Sequence, residues 1–240
     1  MKVFTTINPN DNFDAQNEAL LSWSNKFEVF SVNTSDEIEK IKDLYPYVKF
    51  IETKNTYPYK NKKLIKLNSI LDAIKSVGDD KYFCIVNSDI ILKKNIKFSK
   101  ILNNEYLQNG LVIATRYEVD DNDKITHPFT AGYDVFIFDI KNIDVFYNDN
   151  YVIGMPWWDY WVPVISLKFL MNVYHIKNKV FFHRTHETNY NHESWTLFGE
   201  HLYKDLILTI MKRDIPGVDI GMFCEKTKEH IVKKQINIKL

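Results

Sequence analysis

The chain has 240 residues, enough for one α/β domain with a sizeable core. Hydrophobic residues make up 45% and aromatics 15%, which excludes an intrinsically disordered chain. Lys+Arg and Asp+Glu balance at 31 each, so the basic excess of a nucleic-acid binder is missing. A small anionic ligand needs only local positive charge and stays compatible with that balance.

Three of the basic residues are arginines, Arg116, Arg184 and Arg213, and this scarcity draws attention to any arginine beside a site. Cys84 and Cys224 are the two cysteines; Cys84 lies in an apolar run and reads as a small buried hydrophobe, which fits a reducing compartment. Met1-Lys2-Val3-Phe4 enters a strand-like run directly, with no leader pattern. The long apolar stretch 151–176 is interrupted by Asp159 and Lys168, making it a poor membrane span. These features predict a cytoplasmic protein with no integral membrane segment.

In chain order, residues 3–7 form a short β-prone run stopped by Pro9. Residues 15–23 have helical spacing, and 27–32 form the next strand, ending in Asn33. Thr34 or Ser35 can cap the following helix, with Glu37 in its first turn. A strand over 48–51 and a polar loop over 54–63 come next. Leu64, Leu67, Leu71 and Ile74 then share a helix face that Gly78 closes. Tyr82–Val86, 111–114 and 135–138 are near-continuous apolar runs, as expected of strands covered on both faces. Pro156 opens an aromatic segment expected to turn helical. Residues 180–182 read as the last clear strand and 194–212 as a long helix.

The first half therefore reads β-α-β-α-β-α-β, the pattern of an open, mostly parallel Rossmann-like sheet flanked by helices. One domain over 1–224 is expected, followed by a basic tail over 225–240 that is either an appended helix and strand or frayed. Ligands of such sheets bind at the carboxyl ends of the strands. The residues leaving those ends are Thr6, Asn8, Asn33, Asn87-Ser88-Asp89, Arg116 and the His183–His186 segment, and nearly all are polar.

Within that set, Asn87-Ser88-Asp89 places a carboxylate among oxygen-bearing side chains between two apolar runs. This suits a hard cation such as Mg²⁺ or Mn²⁺; the competing reading is a polar turn. The triplet resembles the DxD-type metal motif of GT-A-fold, nucleotide-sugar-dependent glycosyltransferases. Asn87 stands where the usual motif has Asp, and Asp89 matches its final Asp. Further stretches are similar to one group of these transferases from bacteria and large DNA viruses. They are Thr5-Thr6-Ile7-Asn8-Pro9, Gln16 with Ser22-Trp23, Ser31-Val32-Asn33, Ala131 to Phe136, Gly154 to Trp161 and Phe182 to His186.

The resemblance implies a GT-A-like fold and transfer of a sugar from a UDP- or GDP-linked donor to a glycan or other hydroxyl acceptor. It also implies the cytoplasm as location, the host's if the chain is viral. Asp89, with His183 or His186, would hold the metal. Thr6, Asn8, Asn33, Lys62, Asn87, Ser88 and Arg116 would face the donor. Asp159 would deprotonate the acceptor in an inverting reaction, with Asp134 as the alternative base or a partner of a sugar hydroxyl. Trp157, Trp158, Tyr160 and Trp161 offer flat apolar faces for a sugar ring; the competing reading is a core cluster. A metal-dependent nucleotidyltransferase or phosphoesterase, and a non-catalytic nucleotide-sugar or carbohydrate binder, are the alternative functions. Neither a Walker-type glycine loop nor GxGxxG nor GxSxG occurs, which argues against P-loop, dinucleotide and serine-hydrolase chemistry.

Overall fold

The computed structural model describes residues 1–102, 105–120, 122–185, 191–206 and 219–239. β1 (Lys2–Thr5) is followed by α1 (Phe13–Ser24), β2 (Val29–Asn33), α2 (Ser35–Ile41) and β3 (Val48–Glu52). Next come β4 (Thr56–Tyr59), β5 (Lys62–Ile65), α3 (Leu67–Val77) and β6 (Tyr82–Val86). The middle of the chain supplies β7 (Ile91–Leu92), α4 (Ser99–Leu102), β8 (Gly110–Ala114), β9 (Tyr117–Val119), β10 (Ile125–Pro128) and β11 (Val135–Asp139). The remainder forms α5 (Trp158–Lys168), β12 (Asn172–Ile176), β13 (Phe181–Arg184), α6 (His192–Leu206), α7 (Ile220–Lys234) and β14 (Ile236–Ile238).

Local chemistry sets several of these boundaries. Asn12 Oδ1 accepts the Ala15 amide at 3.2 Å and starts α1. Glu37 reaches back to the Thr34 amide at 3.1 Å and fixes the entry to α2. Gly78 ends α3.

The main sheet has eight strands in the order β14-β12-β8-β11-β6-β1-β2-β3. Its pairings are parallel except that β11 runs antiparallel to both β6 and β8. Side chains alternate across a strand, and this divides the core in two. Phe83, Ile85, Phe136 and Phe138 face a cluster shared with α3, α5 and α6. Cys84, Val86, Val135 and Ile137 face the other, shared with α1, α2 and α4. The fold is thus mixed α/β, a large mostly parallel sheet flanked by helices, as the alternation of runs predicts.

A second, four-stranded sheet has the order β10-β9-β13-β7. The chain leaving the carboxyl ends of β6 and β8 builds β7 and β9, so this sheet sits at the edge where the sequence places a ligand. Trp23 ties it to α1. Its indole N–H donates to Ile90 O at 2.7 Å, and its ring stacks on Phe181 at 6.0 Å. Truncating so buried a side chain to Ala costs about 3–5 kcal/mol.

Three expectations need correction. The polar loop 54–63 contains the antiparallel hairpin β4–β5, whose Tyr57 and Tyr59 rings pack on Phe198. The strand expected over 180–182 belongs to the second sheet, as β13. The expected boundary after residue 224 falls inside α7, and β14 extends the main sheet beside β12. Cys224 and Ile231 of α7 are fully buried, so this segment is part of the core rather than a frayed end. Of the helix expected over 194–212, residues 207–212 lie outside the described residues. Among the described residues, no helix is long and apolar enough to cross a membrane.

Candidate active site

The carboxyl end of β6 delivers Asn87-Ser88-Asp89 into a dense polar cluster. Ser88 Oγ donates to Gln16 Oε1 at 2.9 Å. The same Gln16 holds the Asn8 main chain from both sides, accepting its amide and donating to its carbonyl, each at 3.0 Å. Thr6, Asn8 and Ser88 are thereby gathered around the carboxyl ends of β1 and β6. Gln16 lies on the buried face of α1 with Ala19, Leu20 and Trp23 and is 3% exposed; its reach to strand ends eight residues back is what single-residue reading missed.

Asp89 Oδ2 lies 3.3 Å from His183 Nε2 on β13. His186 lies outside the described residues; among the described residues His183 is the histidine that the fold brings to Asp89. The other ring nitrogen of His183, Nδ1, lies 2.8 Å from Glu118 Oε2. Glu118 Oε1 accepts from Arg116 Nε at 2.8 Å, and Arg116 Nη1 donates to Asp134 Oδ1 at 2.6 Å. Asn87 Nδ2 donates to the same Asp134 oxygen at 3.0 Å. The contacts close a ring from Asn87 through Asp134, Arg116, Glu118 and His183 back to Asp89.

Charge state follows from this ring. Burial alone would raise Glu118, but hydrogen bonds from His183 and Arg116 outweigh it and hold the carboxyl at about 2. Burial alone would lower His183, yet hydrogen bonds to Asp89 and Glu118 lift it to about 9. Asp134 is only 2% exposed, and burial raises its pKa against the opposing charge of Arg116. Its Oδ2 has no hydrogen-bond partner among the described residues. A buried carboxylate oxygen without a partner calls for an explanation, such as a bound ion or a ligand hydroxyl.

Asp159 sits in the first turn of α5. Its Oδ2 accepts the Tyr133 amide at 3.1 Å. Desolvation pushes its carboxyl up to about 7, helped by Asp134 and opposed by the Tyr133 amide and Lys228. Gly132 makes the approach feasible: a Cβ there would meet Asp159 Oδ2 at 2.5 Å, and its φ is +155°. Trp157, just before the helix, holds φ +80°, a costly conformation for a bulky residue. That strain aims the start of α5, and so Asp159, at the Gly132-Tyr133-Asp134 segment.

Other expected site residues are placed differently. Asn33 is fully buried and donates to Ile7 O and Glu37 Oε2 at 2.9 and 3.0 Å, while Ser31 Oγ donates to its Oδ1. It ties β1 to β2 and has nothing left to offer a donor. Arg116 is held between two carboxylates and stacks on Phe129 with its Cζ 3.8 Å from the ring centroid. It is an internal counter-ion rather than a clamp for diphosphate. Lys62 is exposed on the β4–β5 hairpin, which packs on α6 and not on the Asp89 cluster.

Trp157, Trp158, Tyr160 and Trp161 are 2–5% exposed, so they do not form an open sugar platform. Four large aromatics in a five-residue stretch are covered by the core, and Trp157 uses its indole N–H on Trp195 O at 2.8 Å. The partly exposed aromatic nearby is Trp195. It lines a cleft of about 800 Å³ with Asn191, His192, Thr196, Asp219, Ile220 and Gly221.

The fold has counterparts among solved structures. S. aureus TarS 1–349 in complex with UDP-GlcNAc superposes with a TM-score of 0.56, covering 98% of this chain and 72% of that one at 12% identity. TarS 1–349 in complex with UDP gives a TM-score of 0.48, covering 97% and 81% at 12% identity. The fold is GT-A-like. At such identity the likeness is one of fold. No family model and no curated protein matches the sequence.

Proposed function

We propose that this protein is a nucleotide-sugar-dependent glycosyltransferase that works with a divalent metal and inverts the transferred sugar. The observation carrying the reading is the Asp89–His183 pair at the carboxyl end of β6, with Asp159 held near neutral pKa against the Gly132-Tyr133-Asp134 segment. The GT-A-like fold, shared with a protein solved with UDP-GlcNAc, supports it.

The residues fit a metal. Two neighbouring ligands of an octahedral Mg²⁺ stand about 3 Å apart, given metal–oxygen distances of about 2.1 Å. Asp89 Oδ2 and His183 Nε2 are 3.3 Å apart. Among the described residues no group of three His, Cys, Asp or Glu side chains is gathered for a metal. A two-ligand donor set suits Mg²⁺ or Mn²⁺ in nucleotide enzymes, where phosphate oxygens and water complete the shell. The ion would supply neutralisation of the charge on the leaving diphosphate.

Asp159 takes the proton from the acceptor hydroxyl, its pKa of about 7 placing it close to the pH where a general base works best. The acceptor oxygen attacks the anomeric carbon, and the bond to the diphosphate oxygen breaks on the opposite face. Asp134 Oδ2 receives a sugar hydroxyl. Thr6, Asn8 and Ser88 face the nucleoside side of the donor. The acceptor docks in the cleft beside Trp195, whose indole gives an apolar face for a sugar ring with Asn191, His192 and Thr196 as polar neighbours.

The test is incubation with UDP- and GDP-sugars and Mn²⁺, followed by NMR for nucleoside diphosphate release and product anomeric configuration. Release of one nucleoside diphosphate, lost in Asp89→Ala, supports the reading. No release and no binding of any nucleotide at millimolar concentration with Mn²⁺ refutes it.

A further inference from the structure

Glu118 lies at the centre of β9 and is 5% exposed. It is the direct Cα partner of His183 in the parallel pairing of β9 with β13. Strand register therefore sets the two side chains against each other before any side-chain choice is made. Both carboxylate oxygens are committed. Oε1 accepts from Arg116 Nε at 2.8 Å, and Oε2 faces His183 Nδ1 at 2.8 Å and accepts from Thr185 Oγ1 at 3.3 Å. A carboxylate is acceptor-only, so its partner on the imidazole must be a protonated Nδ1. Nε2 faces the Asp89 carboxylate, so without metal it carries a proton as well, and a cation bound there would displace that proton while the one on Nδ1 stays.

We infer that Glu118 is a positioning residue: it keeps the proton on His183 Nδ1, so that the nitrogen giving up its proton to the divalent cation is Nε2, beside Asp89. Glu118 touches neither donor nor acceptor and acts through His183. Arg116 makes this arrangement one-way. A guanidinium only donates, so it claims Oε1 as an acceptor and keeps Glu118 ionised. The inference rests on the metal-assisted reading of Asp89 and His183.

The isosteric substitution Glu118→Gln tests the logic. Arg116 takes the single amide oxygen, which leaves the amide N–H₂ facing His183. That donor favours an imidazole with a bare Nδ1 and a proton on Nε2, the nitrogen the metal needs. The experiment titrates Mn²⁺ into the full chain with UDP present, read by electron paramagnetic resonance of free Mn²⁺. The expected result is roughly 10–100-fold weaker Mn²⁺ binding in Glu118→Gln, the usual effect of losing a ligand's supporting carboxylate. UDP binding without metal should be unchanged. Mn²⁺ affinity within twofold of wild type in a folded variant overturns the proposal.

A second arm needs no variant. Side-chain ¹⁵N spectra of wild-type histidines with Mg²⁺ and UDP should place the His183 proton on Nδ1, and a proton on Nε2 overturns the proposal. Failure of the underlying reading is separate: wild type itself then binds no Mn²⁺ with UDP.

Discussion

Two carboxylates, one on either side of Asp134 in the network of contacts and charges, are tuned in opposite directions. Glu118 sits among cations and is held at about 2; Asp159 sits among aromatic rings and is raised to about 7. Desolvation pushes both upwards, so it does not by itself separate them. What separates them is company. Arg116 and His183 give Glu118 charge-assisted hydrogen bonds. Asp159 has a backbone amide, and the Lys228 ammonium lies 5.4 Å from the Trp157 and Tyr160 ring centroids. The first environment makes a permanent anion that orients a ligand. The second makes a carboxyl that can take up and give back a proton.

That contrast can be broken by exchanging what each carboxylate does. Asp159→Asn removes the proposed base and should lower turnover by about 10²–10⁴-fold. Mn²⁺-dependent nucleotide binding should persist, as calorimetry would show. Equal loss of binding would place Asp159 in the donor site instead. Glu118→Ala leaves His183 and Arg116 facing a buried void, and removing one partner of a buried pair costs about 3–5 kcal/mol. Urea unfolding measures this. A change below about 1 kcal/mol, the range of an exposed pair, would show the ring to be solvated.

Gly132→Ala pushes a methyl into Asp159 Oδ2 at a backbone angle that resists a side chain. A cost of about 1–3 kcal/mol is expected. Turnover should fall more than Tm, because the displaced group is the proposed base. Unchanged turnover would separate Gly132 from the site.

The pH dependence sharpens the comparison at smaller amplitude. The folded pKa of Asp159, about 7, lies above its ordinary 3.8, so the folded protein holds this proton more tightly. Its effect on stability is therefore a loss that begins as pH rises past the ordinary value and is complete above about 7. Thermal melts from pH 5 to 8 should show part of the decline removed in Asp159→Asn. Turnover should rise with pH through about 7. A flat profile in wild type would mean Asp159 does not titrate in that window.

The sheet was largely legible because its strands are apolar runs with few competing patterns. Tyr82–Val86 reads as a strand and is one, since a run apolar at every position and this short suits a strand covered on both faces. The β4–β5 hairpin was not legible: a Tyr-Pro-Tyr-Lys-Asn-Lys-Lys stretch carries loop residues, and its pairing depends on packing against α6. The site divides the same way. Asp89 follows a strand end and could be picked out from position; His183, expected just past a strand over 180–182, lies inside β13. Glu118 was hidden by the acidic stretch after it, where a carboxylate reads as solvated. One signal existed: Arg116 and Glu118 are two apart, so a strand there puts both on one face. Trp157 to Trp161 misled because aromatic faces suit sugars and cores equally, and burial is a property of the fold.

The most direct test of the central claim is anomalous diffraction from crystals grown with Mn²⁺ and UDP. The account predicts a manganese peak between Asp89 and His183, about 2.1 Å from the Asp89 oxygen, with diphosphate oxygens completing the shell. UDP bound with no manganese at that place, or manganese held by other side chains, would contradict it.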